Sequence, residues 1–403
     1  MRRITIVGGG QAGLWLAVAL LKKGYRVRLV QNRSAADIRA GRVLSTQCIF
    51  ATARGEERAM GLDLWDSAAP AIQGMRIQVA APDGSGAKAI AFEGRLAAPA
   101  QSVDQRVKFP KWMEIVDELG GAVEIVDAGI SELDRYAEDS DLVVIASGKG
   151  DIARLFERDA ARSPYTQPMR ALSVAYIYGF KRHDGPLCVT ATLVPGVGEL
   201  FIIPALTLSG PCDILFFEGI PGGPLDVFDG VTDVEAQLRR MTELIATFVP
   251  WEAHRLGAVT PTDRHAGLAG RVVPTVRGGV GRLPSGQPVL GLADSVILND
   301  PIVGQGSNNA LKSARIYFDA IVAHGERPFD EAWMRETFEA GYARTEASTR
   351  WSNMILQPPP EHVVMLLAKA QGKQALADRI ANGFDEPATH LELFANPELA
   401  AAA

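Results

Sequence analysis

The sequence predicts an α/β protein in which a βαβ-based domain is interrupted by a β-rich domain and followed by a helical region. Three observations predict it. The chain opens on "ITIVGGGQAGLWLAVALLKKGYRVRLV", which reads as strand, glycine turn, helix, strand. Residues 169–220 then change character into short β-rich runs, among them "MRALSVAYIYGF", "GELFIIPAL" and "CDILFFEG", separated by Gly and Pro. A strand–loop–helix pattern returns in "QPVLGLADSVILNDPIVGQGSNNALKSARIYFDAIVAHG". A chain that leaves an α/β pattern and comes back to it carries an inserted domain.

Each element has a local reason. In the first helix Leu14, Ala17, Val18 and Leu21 fall on one face, and Gly24 ends it. "GAVEIVDAGI" and "SDLVVIASGKG" supply two more apolar strands, the second ending in Gly148 and Gly150. Residues 233–249 read as a helix, and 327–395 as mainly helical with a soft Ala-rich tail behind them. The expected division is 1–72, 104–168 and 276–328 for the nucleotide domain, 73–103 and 169–275 for the substrate domain, and 329–403 for the helical region.

Bulk properties exclude several function classes. A length of 403 residues suits two or three domains, and 47% hydrophobic with 22% charged residues is ordinary for a globular protein. The formal net charge of -6 argues against a nucleic-acid partner. Cys48, Cys188 and Cys212 are odd in number and far apart, so no disulfide framework is expected and a cytoplasmic location is. The six histidines lack metal-ligand spacing, so no metal is expected. "MRR" and the apolar run behind it resemble a signal peptide, but glycines interrupt the run and "KKGYRVRLV" continues as helix end and strand. No apolar stretch is long enough for a membrane span, so no membrane partner is expected.

The chemistry begins at Gly8-x-Gly10-x-x-Gly13, with Gln11 and Ala12 inside the motif. The first glycine permits a tight turn, the second lets backbone approach a pyrophosphate, and the third lets helix and strand pack closely. The helix N-terminus offers unpaired N–H groups to phosphates. A tight βα turn without ligand is the plainer reading, but the complete βαβ frame favours a dinucleotide. At the end of the second strand an Asp or Glu normally holds the ribose; here stand Gln31, Asn32 and Arg33.

A second signal is the stretch 291–314. Asp294 follows a strand, where its carboxylate would meet a ribityl hydroxyl. Pro301, Gly304, Gln305 and Gly306 form a loop that enters a helix through Ser307 and Asn308. A helix N-terminus aimed at a flavin ring would stabilise negative charge at its N1–C2=O edge. An N-capped helix explains Ser or Asn without any ligand. Together with the N-terminal motif, the stretch points to FAD rather than NAD. No second glycine motif on a strand–turn–helix follows, so no NAD(P)H domain is expected.

The sequence resembles the oxygenase component of the two-component styrene/indole monooxygenases. The stretches that carry the resemblance are "IVGGGQAGLWLA", "AGRVLSTQ", "AAPAQSVDQR", "SDLVVIASGKG", "FERDAARSPYTQPMRAL", "PGVGELFIIPAL", "GLADSVILNDPIVGQGSNNA" and "TRWSNMIL", in family order over nearly the whole chain. The resemblance implies a Rossmann-like FAD domain of the p-hydroxybenzoate-hydroxylase type interrupted by the β-rich domain. It implies a separate NADH-dependent flavin reductase, reduced FAD arriving by diffusion, O2 as co-substrate, and a flavin C4a-hydroperoxide that epoxidises a vinyl or pyrrole-type double bond. Sulfides are further expected substrates; a homodimer is left open. Styrene-type relatives often carry Asp where Asn32 stands. Neutral Gln31 and Asn32 hold a ribose more weakly than a carboxylate, so weak binding of oxidised FAD and stronger binding of reduced FAD are expected.

By the same resemblance Arg42, Arg106 and Gly148 lie near the flavin, the arginines meeting pyrophosphate or fixing the loop under the ring. Ser45 and Thr46 sit beside it as the catalytic hydroxyls. Leu44, Ser45, Gln47, Ile49, Ile72, Met75, Ala100 and Pro204 line the substrate. At six of these positions the styrene-preferring branch tends to have Asn, Val, His, Tyr, His and Ser. The indole-preferring branch tends to have Ser, Gln, an apolar residue, Val or Ile, Ile and Ala. Ser45, Gln47, Ile49, Ile72, Met75 and Ala100 follow the indole set. Gln47 would accept from an indole N–H, a donor styrene lacks. Without the resemblance, Ile72 and Met75 read as ordinary core. Two rivals stand: a single-component NAD(P)H-dependent aromatic hydroxylase of the same fold, and a non-catalytic flavin-binding protein. A halogenase is disfavoured because its W-x-W-x-I signature is absent.

Overall fold

The computed structural model describes residues 2–148 and 150–403. Two large sheets organise them. The first runs in the order Val280–Arg282, Pro288–Gly291, Leu142–Ile145, Arg3–Val7, Arg26–Gln31, Ala122–Ile125. All neighbours are parallel except the outer Val280–Arg282. Ile4, Ile6, Val144 and Ile145 are at most 1% exposed, as parallel strands covered on both faces require. The helix Gln11–Lys22 is buried from Gln11 through Leu20. It lies against the helices Gln105–Glu118 and Gly306–His324. Strand order reverses between Arg3–Val7 and Leu142–Ile145, and such a reversal opens a crevice at the carboxyl ends of the strands.

The second sheet runs Thr260–Pro261, Ala171–Tyr178, Gly210–Gly219, Gly198–Thr207, Cys188–Val194, Ile72–Ala80, Lys88–Ala100. Only the pairing of Ile72–Ala80 with Cys188–Val194 is parallel among these neighbours. Side chains alternate along each strand. Val174, Tyr176, Ile214 and Phe216 face a core shared with the C-terminal helices, through Val363, Leu366 and Ile380. Ala175, Ile177, Leu215 and Phe217 face the helix Val234–Phe248, through Leu238, Met241 and Ile245. Both faces are therefore covered, and period-two alternation here sorts between two cores rather than between core and water.

The helix expected over 233–249 spans Val234–Phe248, capped by the Asp233 carboxylate. The tail expected to be soft is instead a helix, Pro397–Ala402. Asn396 caps it and Pro397 opens it, Ala400 is buried, and Lys369 and Lys373 donate to the carbonyls of Ala401 and Ala403. The Ala-rich composition concealed a good helix former with its cap already in place. No helix among the described residues is long and apolar enough to cross a membrane.

Candidate functional site

The glycine motif sits at the reversal point. Gly8 has φ +120°, and a Cβ there would lie 2.7 Å from the Ala146 carbonyl carbon, at the end of the neighbouring strand. A Cβ on Gly13 would lie 2.0 Å from the Gly8 oxygen, so only glycine lets the helix sit this close to its strand. Gly10 is different: it opens the helix Gln11–Lys22, and nothing lies within 4 Å of where its Cβ would be. Its open side and the unpaired N–H groups beyond it make a cradle of the kind that suits a phosphate. Gln31 packs beside Gly9 and accepts from the Asn32 N–H at 3.1 Å, leaving the Asn32 side chain exposed at the strand end. Arg33 is half-buried. Gln11 turns inward, donating at 2.7 Å to Glu57, which also holds Lys108 at 2.6 Å. So Gln11 and Ala12, both buried, face the cradle through backbone only.

The opposite lip is built from 291–308. Gly148 packs on the Asp294 backbone, where a Cβ would meet its oxygen at 2.7 Å. Asp294 itself is exposed on the short turn Ala293–Ser295. Ser295 ties that turn down through the carbonyls of Ile145 and Leu292, and Ala293 is held at φ +55°. Pro301–Val303 is one turn of 3-10 helix, closed by Gly304 at φ +63°. The helix Gly306–His324 follows with no side-chain cap. Open space adjoins both Gly304 and Gly306, and the N–H groups of Gly306, Ser307 and Asn308 have no intrahelical partner. Gln305 donates to the carbonyls of Phe384 at 2.8 Å and Val303 at 3.3 Å. The Asn308 side chain looks away from the lip. Its Oδ1 accepts from the Phe50 N–H at 2.9 Å, and its Nδ2 donates to Cys48 at 2.9 Å and Gly304 at 3.0 Å.

Asn308 thereby fastens the loop 41–50, the third part of the site. Ser45 Oγ donates to the Thr46 carbonyl at 2.9 Å, and the buried Tyr176 hydroxyl donates to the Ser45 carbonyl at 2.9 Å. Thr46 and Leu44 are half-buried. Gln47 is 5% exposed, and its Nε2 donates to the Val103 carbonyl. A carbonyl can only accept, so this contact fixes which amide atom is oxygen. That oxygen, Gln47 Oε1, is buried and has no hydrogen-bond partner. Cys48 is buried, and desolvation pushes its thiol up to about 12, which leaves it inert.

Of the apolar wall residues, Ile72, Met75 and Ala100 share one core with Cys48 and Tyr176. Ile72 pairs directly with Ala100, and a register shift between Ile72 and Gly74 brings Ile72 and Met75 to the same face. Ile49 joins Gln101 by two backbone bonds and packs into the other core. Pro204 stands apart. It lies on the opposite face from Ile203 and Ala205, in a recess with Arg76, His183, Asp213 and Arg255. Arg42 is exposed and donates to the Thr232 carbonyl at 3.2 Å. Arg106 is 1% exposed and bonds Asp104, Asp263, Thr207 and the Gly41 carbonyl. It anchors the start of the loop and leaves no N–H for a phosphate.

Two residues escaped the sequence reading. Tyr176 lies in "VAYIY", where alternation marks a buried side chain whose hydroxyl needs a partner. Glu218 is wholly buried, in a run "FFEG" that reads from sequence as plain strand. Among the described residues no group of His, Cys, Asp and Glu is arranged for a metal ion.

The donor set fits a flavin dinucleotide: an open glycine cradle at one helix N-terminus, and a second uncapped N-terminus behind an open glycine loop. Comparison with known proteins gives the same direction. Residues 148–255 match the family described as "Styrene monooxygenase A putative substrate binding domain". Styrene monooxygenase StyA of Pseudomonas fluorescens is 30% identical over 98% of this chain and 96% of its own. StyA of a second Pseudomonas gives the same identity and coverage. Among solved structures, the flavin-dependent brominase Bmp2 superposes with a TM-score of 0.68 at 14% identity, covering 100% of this chain and 97% of that one. PqsL, a probable FAD-dependent monooxygenase of Pseudomonas aeruginosa, gives 0.59 at 14%, covering 96% and 99%. These two speak to the fold alone, and the W-x-W-x-I signature of halogenases is missing here. At 30% identity along almost its whole length, the chain belongs to the styrene monooxygenase family, FAD-dependent monooxygenases with the p-hydroxybenzoate-hydroxylase type of fold.

Proposed function

We propose that the protein receives reduced FAD from a separate NADH-dependent reductase and oxygenates indole in preference to styrene, with vinyl aromatics and sulfides as slower substrates. The observation that carries the substrate reading is Gln47 Oε1, a buried acceptor without a partner, on an amide whose nitrogen is already committed to the Val103 carbonyl. Leaving such an acceptor empty costs about 1–3 kcal/mol, which a ligand N–H would recover. Indole brings that N–H, and styrene does not. Ile72, Met75 and Ala100 supply the apolar wall for a flat ring.

Bound and reduced, FAD supplies the activated oxygen atom; the chain's own residues bind, orient and keep water out. The backbone at Gly10–Gly13 takes the pyrophosphate. Asn32 takes the ribose and Asp294 the ribityl chain. The loop Pro301–Gly306 and the N–H groups of Ser307 and Asn308 face the ring edge. Ser45 and Thr46 present backbone and hydroxyl groups beside the ring. Gln47 orients the substrate's pyrrole edge toward it. Tyr176, Arg106 and Asn308 hold the loop 41–50 in place, which fixes geometry without touching substrate.

Mixing the protein with chemically reduced FAD in oxygenated buffer, without reductase or NADH, tests this reading. Indigo from indole should form faster, and with less hydrogen peroxide, than styrene oxide from styrene. Gln47→Leu should lower the indole-to-styrene ratio of kcat/KM on the order of tenfold. An unchanged ratio would remove Gln47 as the selector. Stoichiometric NADH oxidation by the protein alone would replace the two-component reading with a self-sufficient hydroxylase.

A further inference from the structure

A buried acid cluster lies directly behind the loop Pro301–Gly306. Glu218 is 0% exposed, in the strand Gly210–Gly219. Its strand neighbours are Glu199 on one side and Leu172 on the other. Glu199 is already committed: Arg170 holds it in a two-pronged contact at 2.7 and 2.9 Å. Arg170 spends a further nitrogen on the carbonyls of Met169 and Leu356. The remaining neighbour is the carboxyl of Asp300, itself 1% exposed. Asp300 Oδ1 accepts from the Ile302 N–H at 3.1 Å and so begins the turn Pro301–Val303. From the helix Glu331–Ile355, Ser352 donates to the Asp300 carbonyl at 3.0 Å, and Trp351 packs with Ile302 and Val303 of the turn that Asp300 begins.

Charge must be accounted for here. The cluster holds one arginine and three carboxyl groups. Arg170 and Glu199 neutralise each other. Neither Glu218 oxygen has a conventional hydrogen-bond partner, and neither does Asp300 Oδ2. Two bare carboxylates side by side in a dry interior are prohibitively costly, so one proton must remain between them. Burial and the facing acids Asp300 and Glu199 push Glu218 well above the usual carboxylate range, against the smaller pull of Arg170. Burial also raises Asp300.

We propose that Glu218 is a positioning residue: its carboxyl donates a retained proton to Asp300, and this bond fixes the Pro301–Gly306 loop, making flavin affinity dependent on that proton. The inference rests on the reading of this loop as the flavin lip. Its sign follows from linkage. Glu218 titrates higher in the folded protein than in the unfolded chain. Between those two values the native state holds the extra proton, so the stabilisation is complete at low pH and is lost as pH rises through the folded value. Deprotonation puts two negative charges against each other and frees the loop.

Infrared spectra of the flavin-free protein test the proton directly. Wild type at neutral pH should show a protonated-carboxyl stretch that Glu218→Gln loses. Affinity for reduced FAD, measured from neutral to alkaline pH, tests the coupling. Wild type should weaken on the order of tenfold for each unit of pH above the Glu218 value. Glu218→Gln, a neutral donor at every pH, should bind with a flat profile across the same range, and Glu218→Ala should bind weakly throughout. A wild-type spectrum without the band, or the same pH slope in wild type and Glu218→Gln, overturns the proposal. If wild type binds no reduced FAD at any pH, the flavin reading of the loop falls and the coupling with it. The infrared comparison of wild type with Glu218→Gln still decides the shared proton, since it needs no flavin.

Discussion

Asn32 is the residue proposed to meet the ribose, and its neutral side chain is what the proposal of an exchangeable cofactor turns on. It stands exposed at the end of the strand Arg26–Gln31, where a carboxylate would make charge-assisted bonds to a ribose. An enzyme that must release oxidised flavin gains from the weaker neutral contact. Asn32→Asp should tighten oxidised FAD on the order of tenfold, read by quenching of flavin fluorescence. An unchanged Kd would show that the ribose is held elsewhere. Gln47 and Glu218 make the same point from the inside: each is a polar group whose unmet valence, rather than its satisfied contacts, marks a role. Sequence shows the identity of such residues but not their solitude. Gln47 was legible only because the resemblance named its position. Glu218 was not, because a single Glu in a β-rich run gives no sign of whether its carboxyl reaches water.

At the scale of elements, one side chain fastens two of the three segments of the candidate site to each other. Asn308 bonds Phe50, Cys48 and Gly304, so it joins the loop Pro301–Gly306 to the loop 41–50 across 258 residues of sequence. Asn308→Ala would strand two buried backbone groups, the Phe50 N–H and the Cys48 carbonyl, each costing about 1–3 kcal/mol. Reduced-FAD affinity should fall at least tenfold, and amide exchange at 48–50 should rise; a normal exchange pattern would refute the clamp. The helix Gly306–His324 and its glycine loop were legible as an element, since the pattern of Pro, Gly and Asn before an apolar helix is local. That Asn308 points away from the lip was not legible, because its partners come from a segment distant in the chain. The same applies to the tail Pro397–Ala402. Its cap is local, but the sheet face it helps cover is not.

In the whole molecule, Arg106 is where the two sheets are keyed together. It sits at the start of the helix Gln105–Glu118, reaches Gly41 on the loop 41–50, and pairs with Asp104 and with Asp263 beyond the second sheet. The bonds outweigh the cost of burial and raise the guanidinium above its usual range. Breaking a buried pair from one side costs about 3–5 kcal/mol. Arg106→Gln should therefore lower the unfolding free energy by roughly 3 kcal/mol in urea; a loss under about 1 kcal/mol would mean that water replaces the network. The α/β class and the interrupted order were legible because periodicity and glycine punctuation are written locally. Which charges would meet across the sheets was not, since Arg106 and Asp263 are 157 positions apart. The register shift between Ile72 and Gly74 carries one last consequence. Two residues, Gln73 and Gly74, stand between Ile72 and Met75, so deleting Gln73 would leave plain alternation with both side chains still on the core face. The irregularity is slack in the strand: a one-residue deletion there turns neither side chain outward, whereas the same deletion inside the regular run Met75–Val79 would flip every residue to one side of it.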